Sequence, residues 1–138
     1  MTKSFPLRVM FLCTGNASRS QMAEGLLRHD AGDRFEVFSA GVRPCGFLPQ
    51  MPAVMRELGI DMSSHRSKHV DEFAGQSFDY VLTVCDHARE VCPVFPAGTR
   101  MIHHSFVDPG NFPEKERLAR FRQVRDQIRE FLRTFPAD

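Results

Sequence analysis

The sequence predicts an α/β fold: a four-stranded parallel sheet flanked by helices. Three observations carry that expectation. Short apolar runs alternate along the chain with segments of helical periodicity, the pattern of strands joined by crossover helices. No internal repeat, linker or low-complexity tract interrupts the alternation. Finally, Cys13, Cys85 and Asp108 each fall at or just past the C-terminal end of a predicted strand, the edge at which open parallel sheets bind ligands.

A chain of 138 residues with 42% apolar and 25% charged residues is expected to form one domain, 1–138, around one core. Its formal net charge of +1 gives no general affinity for nucleic acid or membrane, so any electropositive chemistry must be local. No stretch approaches the length of a membrane span. The apolar segment 5–12 is broken by Pro6 and Arg8 and does not read as a signal peptide. The four cysteines are therefore expected to be reduced thiols in a cytoplasmic protein, where catalytic or metal-binding roles outnumber structural ones. A monomer is the default for so balanced a surface.

Each element has a local reason. Residues 8–12 read as a largely buried strand. A helix over 20–29 places Met22, Ala23, Leu26 and Leu27 on one face and is closed by Ala31-Gly32-Asp33. Residues 35–40 form a second strand, ended by Gly41; 42–50, with Pro44, Gly46 and Pro49, is a loop that carries Cys45. A helix over 52–58 has Pro52 in its first turn and Gly59 as its C-cap. The polar stretch 63–76 holds one short helix over 70–73. Residues 79–84 form the clearest strand, ended by Cys85, and Asp86 caps a short helix running towards Cys92 and stopping at Pro93. After a loop with Pro96 and Gly98, a fourth strand over 100–106 leads into Asp108-Pro109-Gly110. From Pro113 onward Leu118, Phe121, Val124, Ile128, Phe131, Leu132 and Phe135 follow helical spacing. The six arginines between Arg117 and Arg133 mostly fall on the other face and read as solvated, not as a nucleic-acid site.

The most informative stretch joins the first strand to the first helix. Cys13 ends an apolar run; Thr14, Gly15, Asn16, Ala17 and Ser18 form a short polar loop; Arg19 and Ser20 open the helix. In such a unit the loop amides and the helix N-terminus converge and make one point positive. A tetrahedral oxyanion fits there, gripped by the forked donors of Arg19. The same field favours a thiolate, so the Cys13 pKa is expected below the free value of about 8.5. The bare Cys-x5-Arg spacing is weak, and a buried structural cysteine beside a solvated arginine is the alternative. The strand before, the glycine loop and the helix after favour the anion site.

Residues 13–20 resemble the phosphate loop of the low-molecular-weight tyrosine phosphatase fold and, within it, that of the thioredoxin-coupled arsenate reductases. The resemblance runs from Arg8 to Pro109; the final helix matches in kind only. It implies the strand order 2-1-3-4. It also implies reduction of arsenate to arsenite, with no tightly bound cofactor and with reducing equivalents supplied by thioredoxin. In the implied relay Cys13 attacks arsenate, Cys85 attacks Cys13 as arsenite leaves, and Cys92 attacks Cys85, leaving a Cys85–Cys92 disulfide for thioredoxin.

Spacing adds a requirement of its own. Seven helical residues separate Cα atoms by about 10.5 Å, whereas a disulfide needs roughly 4.4–6.8 Å. Residues 86–91 are therefore expected to unwind on oxidation. Two inert buried thiols are the alternative for this pair. A zinc site with His87, His103 or His104 is another, although six intervening residues do not match zinc-cysteine spacing, and no metal is expected.

Asp108-Pro109 resembles the family's general-acid loop, with Pro109 holding Asp108 extended over the anion; an ordinary turn aspartate is the alternative. Asn16 is expected to fix the loop by side-chain bonds to its backbone, and Ser20 to donate to Cys13. Ser18 stands where related phosphatases carry a second cysteine. Two departures argue against an aryl substrate: Gly110 replaces the tyrosine that usually follows Asp-Pro, and the only tyrosine, Tyr80, lies inside a predicted strand. Some family reductases bind potassium near the loop. Glu24, Asn16 and Ser39 supply oxygens here, but Lys68 stands where an acidic ligand is expected, so no potassium is expected and Lys68 should neutralise Glu24 instead. Cys45 matches no catalytic position. Two competing readings stay open: a small phosphatase hydrolysing phosphate monoesters through a Cys13 phosphoenzyme, and an anion-binding redox sensor.

Overall fold

The computed structural model describes residues 6–86, 92 and 95–136. Four parallel strands, β1 (Leu7–Cys13), β2 (Phe35–Gly41), β3 (Tyr80–Thr83) and β4 (Arg100–His103), pair in the order β2-β1-β3-β4. Among the described residues the helices are α1 (Arg19–Ala31), α2 (Gln50–Arg56) and α3 (Glu114–Leu132), with short 3-10 turns at Val70–Phe73 and Pro109–Asn111. The predicted class and strand order hold. The predicted helix between Asp86 and Cys92 lies outside the described residues.

β1 is central and reads as one apolar run because both of its faces are covered: Val9 through Cys13 are all buried. Its register sets Cys13 beside Gly41 of β2 and Leu12 beside Thr83 of β3. The three strand ends therefore finish level, and the loops that leave them start from one rim. The fourth strand is shorter than predicted. Beyond His103 only single bonds persist, from His104 N–H to the Thr83 carbonyl and from Phe106 N–H to the Val84 carbonyl.

α1 buries Met22, Ala23, Leu26 and Leu27 as its periodicity requires, but Ser20, Gln21 and Glu24 are buried with them. α2 begins two residues earlier than predicted, and Gly59 follows it with a φ of +78°, a left-handed turn that glycine adopts without strain. α3 packs Phe121, Val124, Ile128 and Leu132 inward. Two residues of α3 correct the helical reading. Leu118 is exposed, and Arg125 is buried, donating to the Val54 carbonyl and to Glu57. Arg122 also grips Glu57, and the two guanidiniums hold that carboxyl down to about 2. These pairs tie α3 to the end of α2, while the Arg129 fork on Asp30 ties it to α1. Among the described residues no helix is long and apolar enough to cross a membrane.

Candidate active site

The loop between β1 and α1 is shaped from outside. The Thr14 carbonyl accepts from Arg43 N–H at 2.8 Å, the Gly15 carbonyl from Cys45 N–H at 3.0 Å, and the Asn16 carbonyl from the Ser67 hydroxyl at 2.9 Å. In a planar trans peptide the N–H points opposite to the C=O. The N–H groups of Gly15, Asn16 and Ala17 are thus left on the other side of the loop. α1 begins at Arg19 with no side-chain cap, so its terminal N–H groups add to the same positive end. Gly41 permits the close approach. A β-carbon there would stand 2.6 Å from the Thr14 carbonyl oxygen and 2.8 Å from Asn16 N.

Asn16 adopts a φ of +48°, and its side chain is saturated. Its Nδ2 donates to the Ser20 hydroxyl (2.8 Å) and the Ser39 hydroxyl (2.9 Å), while its Oδ1 accepts from Gln21 Nε2 and from Lys68 N–H, both at 2.8 Å. The partners are neighbouring side chains and the Lys68 backbone, where bonds to the loop's own backbone were expected. Ser20 then meets Cys13, Oγ to Sγ at 2.8 Å, as anticipated. Gln21 Oε1 lies 2.9 Å from His65 Nδ1, so a chain of hydrogen bonds runs from His65 through Gln21, Asn16 and Ser20 to Cys13.

The electrostatics of Cys13 correct the expectation of a depressed pKa. The sulfur is buried, and desolvation pushes its thiol above the ordinary value. The Ser20 hydroxyl, the Ser20 N–H and the Arg19 guanidinium pull it down without overcoming burial.

Arg19 donates from Nη1 to the Phe106 carbonyl (3.1 Å), and its Nη2 lies 3.6 Å from Asp108 Oδ2. Its Nε is buried without a hydrogen-bond partner, a donor that a bound oxyanion would satisfy. Asp108 is a turn residue that also faces the cleft. Oδ1 accepts from Gly110 N–H at 2.9 Å and caps the Pro109–Asn111 turn, while Oδ2 faces Arg19. Around Cys13 and Arg19 opens a cleft of about 460 Å³, walled by Leu48, Phe121 and Asp108. Gly110 lines it too, close enough to Leu48 that a β-carbon at 110 would sit 3.2 Å from the Leu48 methyl.

Cys85 is buried just past β3, with its sulfur 3.3 Å from the Thr14 hydroxyl. The second thiol therefore touches the first residue of the anion loop. Cys92 is half-buried, and burial pushes its thiol up as well. Cys45 was given no role by the sequence, yet it stands exposed on the rim of the cleft, packed so closely on Gly15 that a β-carbon there would lie 2.7 Å from its sulfur. Arg43 and Leu48 enter the cleft wall from the same loop. No sequence motif marks these residues; the prolines around them gave only the loop.

The oxygens that suggested a cation site do not fit one. Glu24 is buried and takes Lys68 Nζ at 3.3 Å, the Ser39 hydroxyl and the Arg28 guanidinium. The ammonium stands against the carboxylate, as expected, and these partners hold the Glu24 pKa down despite its burial. Potassium has no free carboxylate oxygen to bind. Among the described residues no three His, Cys, Asp or Glu side chains converge to hold a metal.

Comparisons with known proteins identify relatives of the chain. The family model described as low molecular weight phosphotyrosine protein phosphatase matches residues 8–138. A protein of Halalkalibacterium halodurans named arsenate reductase is 42% identical over 129 residues, covering 92% of this chain and 93% of that protein. A solved structure of an arsenate reductase in the oxidized state superposes with a TM-score of 0.79 at 30% identity, covering 92% of this chain and 94% of the other. The thioredoxin-dependent arsenate reductase of Corynebacterium glutamicum superposes with a TM-score of 0.72 at 29% identity, covering 96% of this chain and 63% of that longer one.

Proposed function

The chain belongs to the low-molecular-weight phosphotyrosine protein phosphatase family, and from that premise we propose that it reduces arsenate to arsenite by a relay of Cys13, Cys85 and Cys92, recycled by thioredoxin. The observation that carries the proposal is the contact of Cys85 with Thr14. A phosphatase needs one thiol in its anion loop; a second thiol against that loop supplies the other electron donor of a two-electron reduction.

Arsenate enters the loop with its oxygens on the amides of Gly15, Asn16 and Ala17 and on Arg19. Cys13 attacks arsenic while Asp108 protonates the departing oxygen. A sulfur–arsenic bond forms, an arsenic–oxygen bond breaks, and the thiol proton leaves with the water produced. Burial raises the Cys13 thiol, and the arriving oxyanion is itself a base that can take its proton.

The Cys85 thiolate then attacks Cys13 sulfur. The new sulfur–sulfur bond forms as the sulfur–arsenic bond breaks, and its electron pair stays on arsenic, which departs as arsenite. Cys92 attacks Cys85, frees Cys13 as a thiolate, and leaves a Cys85–Cys92 disulfide for an external dithiol. Thioredoxin is supported by the name of the Corynebacterium relative. A relay that starts from three reduced thiols fits the reducing cytoplasm.

The test is a coupled assay with thioredoxin, thioredoxin reductase, NADPH and arsenate. Arsenate-dependent NADPH oxidation is expected, and its loss is expected in Cys92→Ser. Hydrolysis of an aryl phosphate that survives loss of both Cys85 and Cys92, with no arsenate-dependent oxidation, would assign the chain to phosphatase chemistry instead.

A further inference from the structure

We propose that His103 is a positioning residue that latches the Cys85 corner in its dithiol geometry, through a bridge from Thr83 to Asp86. The proposal rests on the relay for its consequence but on geometry for its existence. β3 ends at Thr83, and the backbone of Val84 makes one further bond to the Leu12 carbonyl before the chain turns at Cys85. Next door, β4 ends at His103, the register partner of Thr83. The imidazole spans the turn, with Nδ1 2.7 Å from the Thr83 hydroxyl and Nε2 2.9 Å from the Asp86 carboxylate. One end of the bridge is fixed in the core, since Thr83 is buried; the other is the exposed residue immediately after Cys85.

The partners settle the ring's hydrogen placement. A carboxylate only accepts, so Nε2 carries a hydrogen. Nδ1 meets a hydroxyl that can donate to it or accept from it, so both bonds survive in either charge state of the ring. The bridge is thus a fixed strut.

Closing a Cys85–Cys92 disulfide requires Cα atoms roughly 4.4–6.8 Å apart, and the buried Cys85 sulfur must leave Thr14 to reach its partner. On the proposed relay the backbone of 85–86 turns as the disulfide closes, and Asp86 is carried away from His103. The strut therefore stabilises the dithiol over the disulfide and keeps Cys85 against Thr14 until the second step is complete. Because Asp86 is largely exposed, its loss should shift the equilibrium by about two- to fivefold and no more.

Two readouts test this on the full-length chain, in His103→Phe, which keeps a planar ring, and in Asp86→Asn, which keeps the shape of its side chain. In the reduced protein, alkylation of Cys85 by iodoacetamide should accelerate in both variants. In dithiothreitol redox buffers, peptide mapping should show the Cys85–Cys92 disulfide favoured about two- to fivefold over wild type. The double variant should add nothing to the larger single effect, because one bridge is cut twice. Unchanged Cys85 alkylation in both variants, or a disulfide equilibrium unmoved or moved towards the dithiol, overturns the latch. Faster Cys85 alkylation in a protein that never forms the Cys85–Cys92 disulfide sinks the relay and leaves the strut standing.

Discussion

The hydroxyl of Thr14 lies 3.3 Å from the sulfur of Cys85, which makes the anion loop and the second thiol one unit. On the proposed relay, oxyanion chemistry at Cys13 and electron supply from Cys85 are coupled through this one loop residue.

Thr14→Val keeps the side-chain volume and removes that contact. A neutral hydrogen bond contributes about 0.5–1.5 kcal/mol, so Cys85 attack should slow by roughly two- to tenfold while oxyanion affinity holds. Rapid-quench measurement of arsenite release against arsenate binding separates the two. Equal loss in both would show that Thr14 serves the loop alone.

Cys13 is raised by burial and lowered by Ser20 and Arg19. Its alkylation rate should therefore rise with pH through a midpoint above that of an ordinary thiol. Ser20→Ala removes the hydroxyl that stabilises the thiolate and should move the midpoint further up. An iodoacetamide pH profile of both proteins checks the sign; a midpoint below the ordinary range in wild type would mean that the loop field outweighs burial.

Gly41→Ala places a methyl group 2.6 Å from the Thr14 carbonyl oxygen and 2.8 Å from Asn16 N. Both contacts are backbone, so the anion loop must shift. Arsenate binding should be lost almost completely, with a stability cost of about 1–3 kcal/mol, measured by calorimetry and urea unfolding.

The legible part of the molecule was whatever obeys a period or a local motif. The buried run of β1, the loop of residues 13–20 and the apolar stripe of α3 are all written in consecutive or evenly spaced residues. Cys13, Cys85 and Asp108 could be placed on one rim because parallel strands finish together. The sheet order came only with the family resemblance. What stayed hidden depends on partners distant in sequence. Arg125 looks solvated until Val54 and Glu57 meet it across 71 and 68 residues. Cys45 reaches the cleft because its backbone bonds Gly15, and the balance of burial against charge at Cys13 has no signature in composition.

The half-buried Lys68 ammonium lies 3.3 Å from the buried Glu24 carboxylate. The folded Glu24 pKa lies below its ordinary value, so its stabilisation is present above that ordinary value and is lost as pH falls through the folded one. Lys68→Met leaves Glu24 with Ser39, Arg28 and, at 3.9 Å, the His65 ring. Stability at neutral pH should fall by about 1–3 kcal/mol, and acid destabilisation should begin at higher pH. Urea unfolding at several pH values reads both.

The most direct test is one turnover in Cys92→Ser, reduced, freed of reductant and mixed with a single equivalent of arsenate. The relay predicts close to one arsenite released per chain and a Cys13–Cys85 disulfide in the peptide map, with Cys45 still alkylatable. Arsenate consumed or bound with Cys85 still free and no arsenite formed would contradict it.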